Sequence, residues 1–323
     1  MTSIPHSALA RTLVDAGVLI PTSVDGLHMH GARFTAVADA VANVLHTLLG
    51  DGVERMRFAS VMPRADLERI GYFRNFPHLL GTVHCFCGNE AEHRNLLRAH
   101  DAREDWTGMQ AATDLVLIPA ACYPLYQILA ARGPVPEQGY TVHTDANCFR
   151  REPSLDPVRM QTFHMFEQIR VGRPDQVTAF HDKWKAQALQ LLSSWGLPAD
   201  LAPADDPFFG RAAVVMAKSQ RDQALKFEVR VAVSDPDRPT PCGSINYHLD
   251  SFGTSLGMQL PDGTPAHSAC VGFGIERVTL ALFRQHGLLL AEWPGDARPD
   301  RRRLRGGCLT TPPHARRIHR GES

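Results

Sequence analysis

Asn147 to Gly172 reads NCFRREPSLDPVRMQTFHMFEQIRVG, and the fold turns on how this stretch is understood. Asn147-Cys148-Phe149-Arg150-Arg151-Glu152 begins extended, and Pro153, Ser154, Asp156 and Pro157 break it as turn residues. Phe163 to Val171 sets aromatic and branched apolar residues between polar ones, the pattern of a return strand. The product is a long hairpin with arginines at its start, a carboxylate two positions after Arg150, and phenylalanines on its return. Guanidinium forks suit phosphate, and an aromatic face suits a purine. On residue types alone an ordinary solvated surface hairpin fits the same pattern, so the rest of the chain has to decide.

The chain has 323 residues, enough for one large domain or two ordinary ones with a substantial core. Hydrophobic residues make up 44% and charged residues 21%, an ordinary soluble composition. Lys+Arg and Asp+Glu both number 34, and this balance argues against a wholesale nucleic-acid or membrane coat. MTSIPHSALARTLVDAG has no basic region followed by an apolar core, so it does not read as a signal peptide. No run approaches the ~20 apolar residues that cross a bilayer. Seven scattered cysteines, an odd number, do not look like a disulfide framework. The expectation is a cytoplasmic protein with reduced thiols and no membrane partner.

Working outward from the hairpin, Val37, Val41, Val44, Leu45 and Leu48 repeat at three and four and predict a helix over Phe34–Leu49. Gly50-Asp51-Gly52 ends it, Val53 to Val61 reads as a strand, and Pro63 closes that strand. Further strands are expected over Leu79–Phe86, Asp114–Pro119, Ala224–Val233, Gly243–Leu249 and Ala269–Gly274. Further helices are expected over Glu90–Arg103, Tyr126–Arg132, Pro174–Trp195 and Ile275–His286. Asp200 to Gly210 reads as a polar turn, and Gly253 and Gly257 fall in loops. Residues 296–323 carry eight arginines and read as a disordered tail. Short strands joined by hairpins, with helices grouped between them, predict an α+β fold: an antiparallel sheet flanked by helices. No GxGxxG or GxxxxGK motif follows a strand, so a Rossmann or P-loop nucleotide site is not expected.

Three stretches, in order, resemble the three signatures of a class II aminoacyl-tRNA synthetase catalytic core. The helix, strand and proline from Phe34 to Pro63 resemble the first, which in that family lies at a dimer interface. Phe149-Arg150-Arg151-Glu152, the loop and Phe163 to Glu167 resemble the second. Gly272-Phe273-Gly274-Ile275-Glu276-Arg277-Val278, opening an apolar helix, resembles the third and is the most specific. Within that class the chain more closely resembles the atypical seryl-tRNA synthetases of methanogens, and more closely still their shortened homologues, the amino acid:carrier-protein ligases. The resemblance covers roughly residues 34–295, with 174–210 as a helical insertion. Only residues 1–33 precede the first signature, which leaves no room for the large N-terminal tRNA-binding domain of the archaeal synthetases. tRNA is therefore not the expected partner. The resemblance implies that ATP with Mg²⁺ and a small amino acid, glycine or alanine, give an aminoacyl-adenylate. The aminoacyl group then passes to the phosphopantetheine thiol of a carrier protein.

The same resemblance implies roles for particular residues. Arg150 would meet the α-phosphate, where a guanidinium fork stabilises charge as the carboxylate attacks. Glu152 would accept from the adenine amine. Phe166 is the first choice to stack on adenine and Phe163 the second, although a strand phenylalanine is more often core. Arg277 would pack over the adenine and meet the γ-phosphate, while Glu276 reads as structural. Zn²⁺ would be held by Cys122, Glu167 and Cys270, leaving one position for the substrate amine. Taken alone, each of those cysteines reads as a buried apolar residue, and their spacing gives no help. Cys85 and Cys87 share one face of a strand and are expected in the core, as are Cys148 and Cys242. Ser244, Asn246 and Asp250 resemble the lining of the adenylate and amino-acid pocket. Lys218 falls where that pocket forms, or else is a solvated lysine. His181, Lys183, Trp184 and Lys185 on helix 174–195 suit an acidic carrier protein, or the helix merely caps the core.

Overall fold

The computed structural model describes residues 8–298 except residue 212. The chain opens with α1 (Ala8–Asp15), the strand pair β1 (Leu19–Pro21) and β2 (His28–His30), and α2 (Ala32–Thr47). It continues through β3 (Glu54–Arg57), β4 (Val61–Pro63), α3 (Arg64–Arg69), α4 (Tyr72–Asn75), β5 (Thr82–Cys85), α5 (Glu90–Asp101), β6 (Ala111–Leu117) and α6 (Tyr123–Ala131). The central hairpin is β7 (Tyr140–Phe149) and β8 (Thr162–Gly172), followed by α7 (Pro174–Ser194), β9 (Ala199–Pro203) and α8 (Ala213–Asp222). The last elements are β10 (Lys226–Val231), β11 (Thr240–Leu249), α9 (Ser251–Leu256), β12 (His267–Gly274) and α10 (Ile275–His286).

Seven strands form the main sheet in the order β3-β7-β8-β12-β11-β10-β9. Only β3 and β7 pair in parallel; the other neighbours are antiparallel. A smaller antiparallel sheet, β4-β6-β5, stands beside it. The two-residue period of a strand sends alternate side chains to opposite faces. On β12, Ala269, Val271 and Phe273 join the core that includes α2, α7 and α10, whereas Cys270, Gly272 and Gly274 line a cavity on the other face. On β8, Phe166 goes to the helices, and Phe163, Met165 and Glu167 go to the cavity. Trp184 of α7 is 1% exposed, and its Nε1 donates to Gln168 Oε1 at 2.8 Å. Gln168 Nε2 in turn donates to the Leu49 carbonyl at 3.2 Å, so one β8 side chain ties both helices to the sheet. Removing a buried indole of this kind costs about 3–5 kcal/mol.

Several boundaries differ from the sequence reading. The first hairpin strand begins at Tyr140 rather than Asn147, because Val142, His143 and Thr144 already pair with β8. The strand expected over Val53–Val61 splits: β3 joins the main sheet and β4 the small one. The polar turn expected over Asp200–Gly210 contains β9, an edge strand paired along β10, so 174–210 is not wholly helical. Gly253 sits within α9, where an added Cβ would lie 2.2 Å from the Ala266 carbonyl oxygen. Cys85 and Cys87 are exposed rather than core, because β5 is a short strand of the small sheet paired only with β6. Cys148 and Cys242 are buried as expected. The N-terminal segment is part of the fold, since Leu13, Val18 and Leu19 belong to the main core. Of the Arg-rich stretch, Ala297 is buried and Arg298 donates to the Trp293 carbonyl; from residue 299 on, the expected tail lies outside the described residues. No helix of the described residues is long and apolar enough to cross a membrane.

Candidate active site

A cavity of about 580 Å³ opens on the sheet face away from α7 and α10. Its lining brings together Arg150, Glu152, Phe163, Glu167, Ser244, Asn246, Cys270, Arg277 and Cys122, residues spread over nearly half of the chain. Each arrives for a local reason. Arg150 follows directly on β7, where its N–H donates to the Gln161 carbonyl at 2.9 Å and closes the hairpin loop. Its Nε donates to the Pro119 carbonyl at 2.9 Å, and its guanidinium lies 5.4 Å from the Phe163 ring centroid. Arg277 stands in the first turn of α10, with Nε on the Val158 carbonyl at 2.8 Å and an Nη on the Pro241 carbonyl at 3.0 Å. Burial, then the Arg150 charge, pushes the Arg277 pKa below its ordinary value. Two cations held in one desolvated cavity call for a polyanion between them. Glu276 also lines the cavity, but its carboxylate is engaged by the His164 backbone N–H at 2.9 Å, which ties β8 to the start of α10.

At the other end of the cavity, Cys122, Glu167 and Cys270 are all buried, with their ligand atoms within 4.8 Å of one another. Cys122 sits at the N-cap of α6, between Pro119, which ends the preceding strand run, and Pro124 in the first turn of the helix. Its backbone N–H donates to Glu167 Oε2 at 2.5 Å. Glu167 and Gly272 are directly paired across β8 and β12, and a Cβ on Gly272 would lie 3.3 Å from Glu167 Cγ and Oε1, so any larger residue would push the carboxylate by a few tenths of an ångström. Burial and the neighbouring Cys270 push the Glu167 carboxyl up to about 8. Of the two thiols, Cys270 is the one driven toward thiolate, chiefly by the Cys122 thiol, with His248 and Asn246 also facing it at 3.7 and 3.5 Å. Two sulfurs and a carboxylate, buried and short of compensating cations, fit a zinc ion with one position open.

Four expectations are corrected by the geometry. Phe166 cannot meet a ligand in the cavity. It is 1% exposed on the helix-facing side of β8, among His46, His143 and Phe273, and the strand period leaves Phe163 as the cavity phenylalanine. Lys218 lies on α8 but points outward and pairs with Asp222, while Met216, Ser219 and Gln220 of the same helix line the cavity. Asp250 is exposed at the start of α9, within 3.5 Å of Thr254 Oγ1, outside the cavity lining. On α7, His181 and Trp184 are buried against the sheet, and Lys185 is engaged by Asp182 at 2.7 Å and lies 4.7 Å from the Phe227 ring centroid.

The cavity also contains residues that sequence reasoning missed. Asp206 is linked to Lys226 at 2.5 Å and to Gln220 at 2.9 Å, and Tyr72, Tyr123 and Phe208 line the wall nearby. Burial works against the Asp206 charge, but Lys226 and Gln220 hold its carboxyl below its ordinary value. His248 was recoverable: Ser244, Asn246 and His248 are spaced by two and therefore share a strand face. Asp206, Tyr72 and Phe208 carried no such signal, since Tyr72 opens the one-turn helix α4 and the other two come from the irregular segment after β9.

Among solved structures, the seryl-tRNA synthetase of M. kandleri in complex with A. aeolicus tRNASec superposes with a TM-score of 0.79 at 18% identity, over 94% of this chain and 61% of that one. The fold is therefore the α+β catalytic core of class II aminoacyl-tRNA synthetases. No family model matches. Two proteins of Bradyrhizobium diazoefficiens are far closer in sequence: amino acid–acyl-carrier-protein ligase 1 is 42% identical over 274 residues (85% of this chain, 84% of that protein), and ligase 2 is 45% identical over 269 residues (83% and 80%). The chain belongs to the amino acid:carrier-protein ligase family.

Proposed function

We propose that the chain activates a small amino acid with ATP and Mg²⁺ and passes the aminoacyl group to the phosphopantetheine thiol of a carrier protein. The observation that carries this reading is the sharing of one cavity by the Arg150–Arg277 pair and the Cys122–Glu167–Cys270 cluster. One end suits a polyphosphate and the other a metal-bound amine. In the first step a carboxylate oxygen of the amino acid bonds to the α-phosphorus, and the bond from that phosphorus to the α,β-bridging oxygen breaks. Pyrophosphate leaves. Arg150 stabilises the charge that builds on the α-phosphoryl oxygens, because its fork is already oriented by Pro119. Arg277, anchored by two carbonyls, neutralises the leaving polyphosphate, and Mg²⁺ would share that charge. Phe163 offers a ring to the adenine, and Glu152 an acceptor for its amine.

Cys122, Glu167 and Cys270 would hold Zn²⁺, which supplies a Lewis-acid position for an unprotonated α-amine. Ser244, Asn246 and His248 line the space between the two ends. Tyr123 and Phe252 also line the cavity, and glycine or alanine is the proposed amino acid. In the second step the carrier thiol gives up its proton to water and attacks the activated carbonyl, the bond from that carbon to the phosphate oxygen breaks, AMP leaves, and a thioester forms. Lys183 is the exposed cation of α7 left to meet an acidic carrier. The first signature, α2 to Pro63, is proposed as a homodimer interface, residues 34–295 as the catalytic unit, and the cytoplasm as the compartment.

Pyrophosphate exchange with glycine, alanine or serine tests the activation step, and absence of exchange with every amino acid overturns it. Transfer of label to a phosphopantetheinylated carrier but not to tRNA is the expected second result. The reverse outcome replaces the carrier with tRNA.

A further inference from the structure

We infer that the opposite face of the same hairpin carries a second metal site, for a divalent transition ion of the zinc class, built from His46, His143 and Asp145. His143 and Asp145 are two apart on β7, so they share a strand face, and that face is turned away from the cavity. His46 reaches them from the last turn of α2. His46 Nε2 lies 3.1 Å from His143 Nε2 and 3.5 Å from Asp145 Oδ2, and His143 Nε2 lies 3.4 Å from the same oxygen. A tetrahedral ion with bonds of about 2.0–2.1 Å separates its ligand atoms by about 3.3–3.4 Å. The three separations lie within a few tenths of an ångström of that value, so one ion can be shared by the three atoms with small shifts.

The tautomer of His143 points the same way. Its Nδ1 lies 2.9 Å from the Glu167 carbonyl oxygen, which can only accept, so Nδ1 carries the proton and Nε2 presents a lone pair to the cluster. Metal-ligating histidines are usually backed by a carbonyl or carboxylate in this way. The other carboxylate oxygen of Asp145 is already served: Arg57 Nε and His164 Nε2 each lie 3.5 Å from Oδ1, which leaves Oδ2 for the ion. Access exists, because the His46 side chain is 28% exposed, while that of His143, at 2%, fixes the floor. The competing occupant is a proton, with His46 Nε2–H donating to His143 Nε2.

Such an ion would fasten α2 to β7. His143 then hands the constraint to the backbone of Glu167, the residue placed in the cavity cluster. The site is a clamp rather than a reaction centre, and it does not depend on the proposed chemistry of the cavity.

The test is metal content by mass spectrometry after zinc loading and passage over chelating resin, on the full chain with folding checked by circular dichroism. Wild type should hold two equivalents, His46→Gln one, Cys122→Ser/Cys270→Ser one, and the triple variant none. Cobalt loaded into the Cys122→Ser/Cys270→Ser protein, with the exposed Cys85 and Cys87 also replaced by serine, should give visible d–d bands without thiolate charge transfer. Zinc should raise the melting temperature of that protein, and the shift should vanish on adding His46→Gln. If His46→Gln does not fold, Asp145→Asn is read in the same way. The inference is overturned if folded His46→Gln keeps the wild-type zinc content, or if the folded Cys122→Ser/Cys270→Ser protein holds none. Zinc retained in the Cys122→Ser/Cys270→Ser protein, with wild type at one equivalent, supports this site and refutes zinc in the cavity.

Discussion

Replacing Arg150 separates a group that binds ATP from one that acts on the transition state. Its Nε is committed to the Pro119 carbonyl at 2.9 Å, and no other hydrogen bond engages its guanidinium among the described residues. The two terminal nitrogens therefore face the cavity already oriented. Preorganised donors aimed at developing charge are worth about 10²–10³ in kcat, or about 2.7–4 kcal/mol. Arg150→Ala should accordingly slow pyrophosphate exchange by that factor. The loss should fall on kcat more than on KM for ATP, because Arg277 still holds the polyphosphate. Arg150→Lys keeps a charge but loses both the fork and the Pro119 anchor, so it should recover no more than about tenfold. Thermal melts should show some loss as well, because against the cost of burial Tyr72, Cys148, Tyr123 and Glu152 hold the Arg150 guanidinium above its ordinary pKa, so exchange is compared well below the variant's melting temperature. The assay is steady-state exchange with saturating amino acid, alongside thermal melts. Exchange by Arg150→Ala within roughly threefold of wild type, or an effect confined to KM, would refute the reasoning.

Phe163→Ala should raise KM for ATP with little change in urea stability, whereas Phe166→Ala should cost about 3–5 kcal/mol in urea melts; identical behaviour of the two would undo the assignment of faces. Gly272→Ala places a Cβ 3.3 Å from Glu167 Cγ and Oε1, so metal content and exchange should fall together while the sheet still folds, and unchanged metal content counts against the Glu167 ligand. The Glu167 carboxyl is raised from 4.5 to about 8, so in metal-free protein its contribution to stability is fully present below 4.5 and is lost as pH rises toward 8. Metal uptake should strengthen over the same interval as the proton leaves, and chelator-treated protein with no such trend in urea melts contradicts the burial of this group. Lys218→Ala should leave exchange unchanged, because Lys218 is turned outward to Asp222.

The parts of this structure legible in the sequence were those set by local chemistry. The period of α2, the Gly-rich entry to α10 and the turn residues at 153–157 each define an element from within a few positions. Membership in the sheet was not local. β9 reads as a polar, Pro-rich turn because an edge strand needs only one partner and little apolar side chain, and Asp200 faces Arg230 there at 2.6 Å. Cys85 and Cys87 have the alternation of a core strand, but β5 has only β6 beside it. In the site, the resemblance named Arg150, Arg277 and the three metal-ligand candidates correctly as neighbours, yet misplaced Phe166 by one step of the strand period. A one-residue error in register reverses the face, and nothing in FHMFEQ alone states which phenylalanine turns inward. Asp206 and Lys226 meet only through tertiary folding, so no spacing rule reaches them.

The same alternation explains why one hairpin can serve both faces of the sheet. Along β8, Phe163, Met165 and Glu167 face the cavity, while Phe166 and Gln168 face the helices, with Trp184 and Leu49 bonded to Gln168. Along β7, Thr144 pairs with Glu167 on the cavity side, and His143 pairs with Gln168 on the other. A backbone shift that moved Glu167 toward or away from Cys122 would therefore also disturb Gln168, His143 and the helices they hold. Glu167 is kept in place by that second face: its carbonyl accepts from His143, and its neighbour Gln168 is tied to Trp184 of α7 and to Leu49 just past α2. Precision at the cavity is thus a property of the packing behind it. Substitutions at His143 or Gln168, whose side chains lie outside the cavity lining, should weaken metal retention at Cys122–Glu167–Cys270 before they unfold the chain. Zinc dissociation rates for Gln168→Leu, measured with a chelating dye, decide this: a rate equal to wild type in a folded protein shows that the two faces are uncoupled.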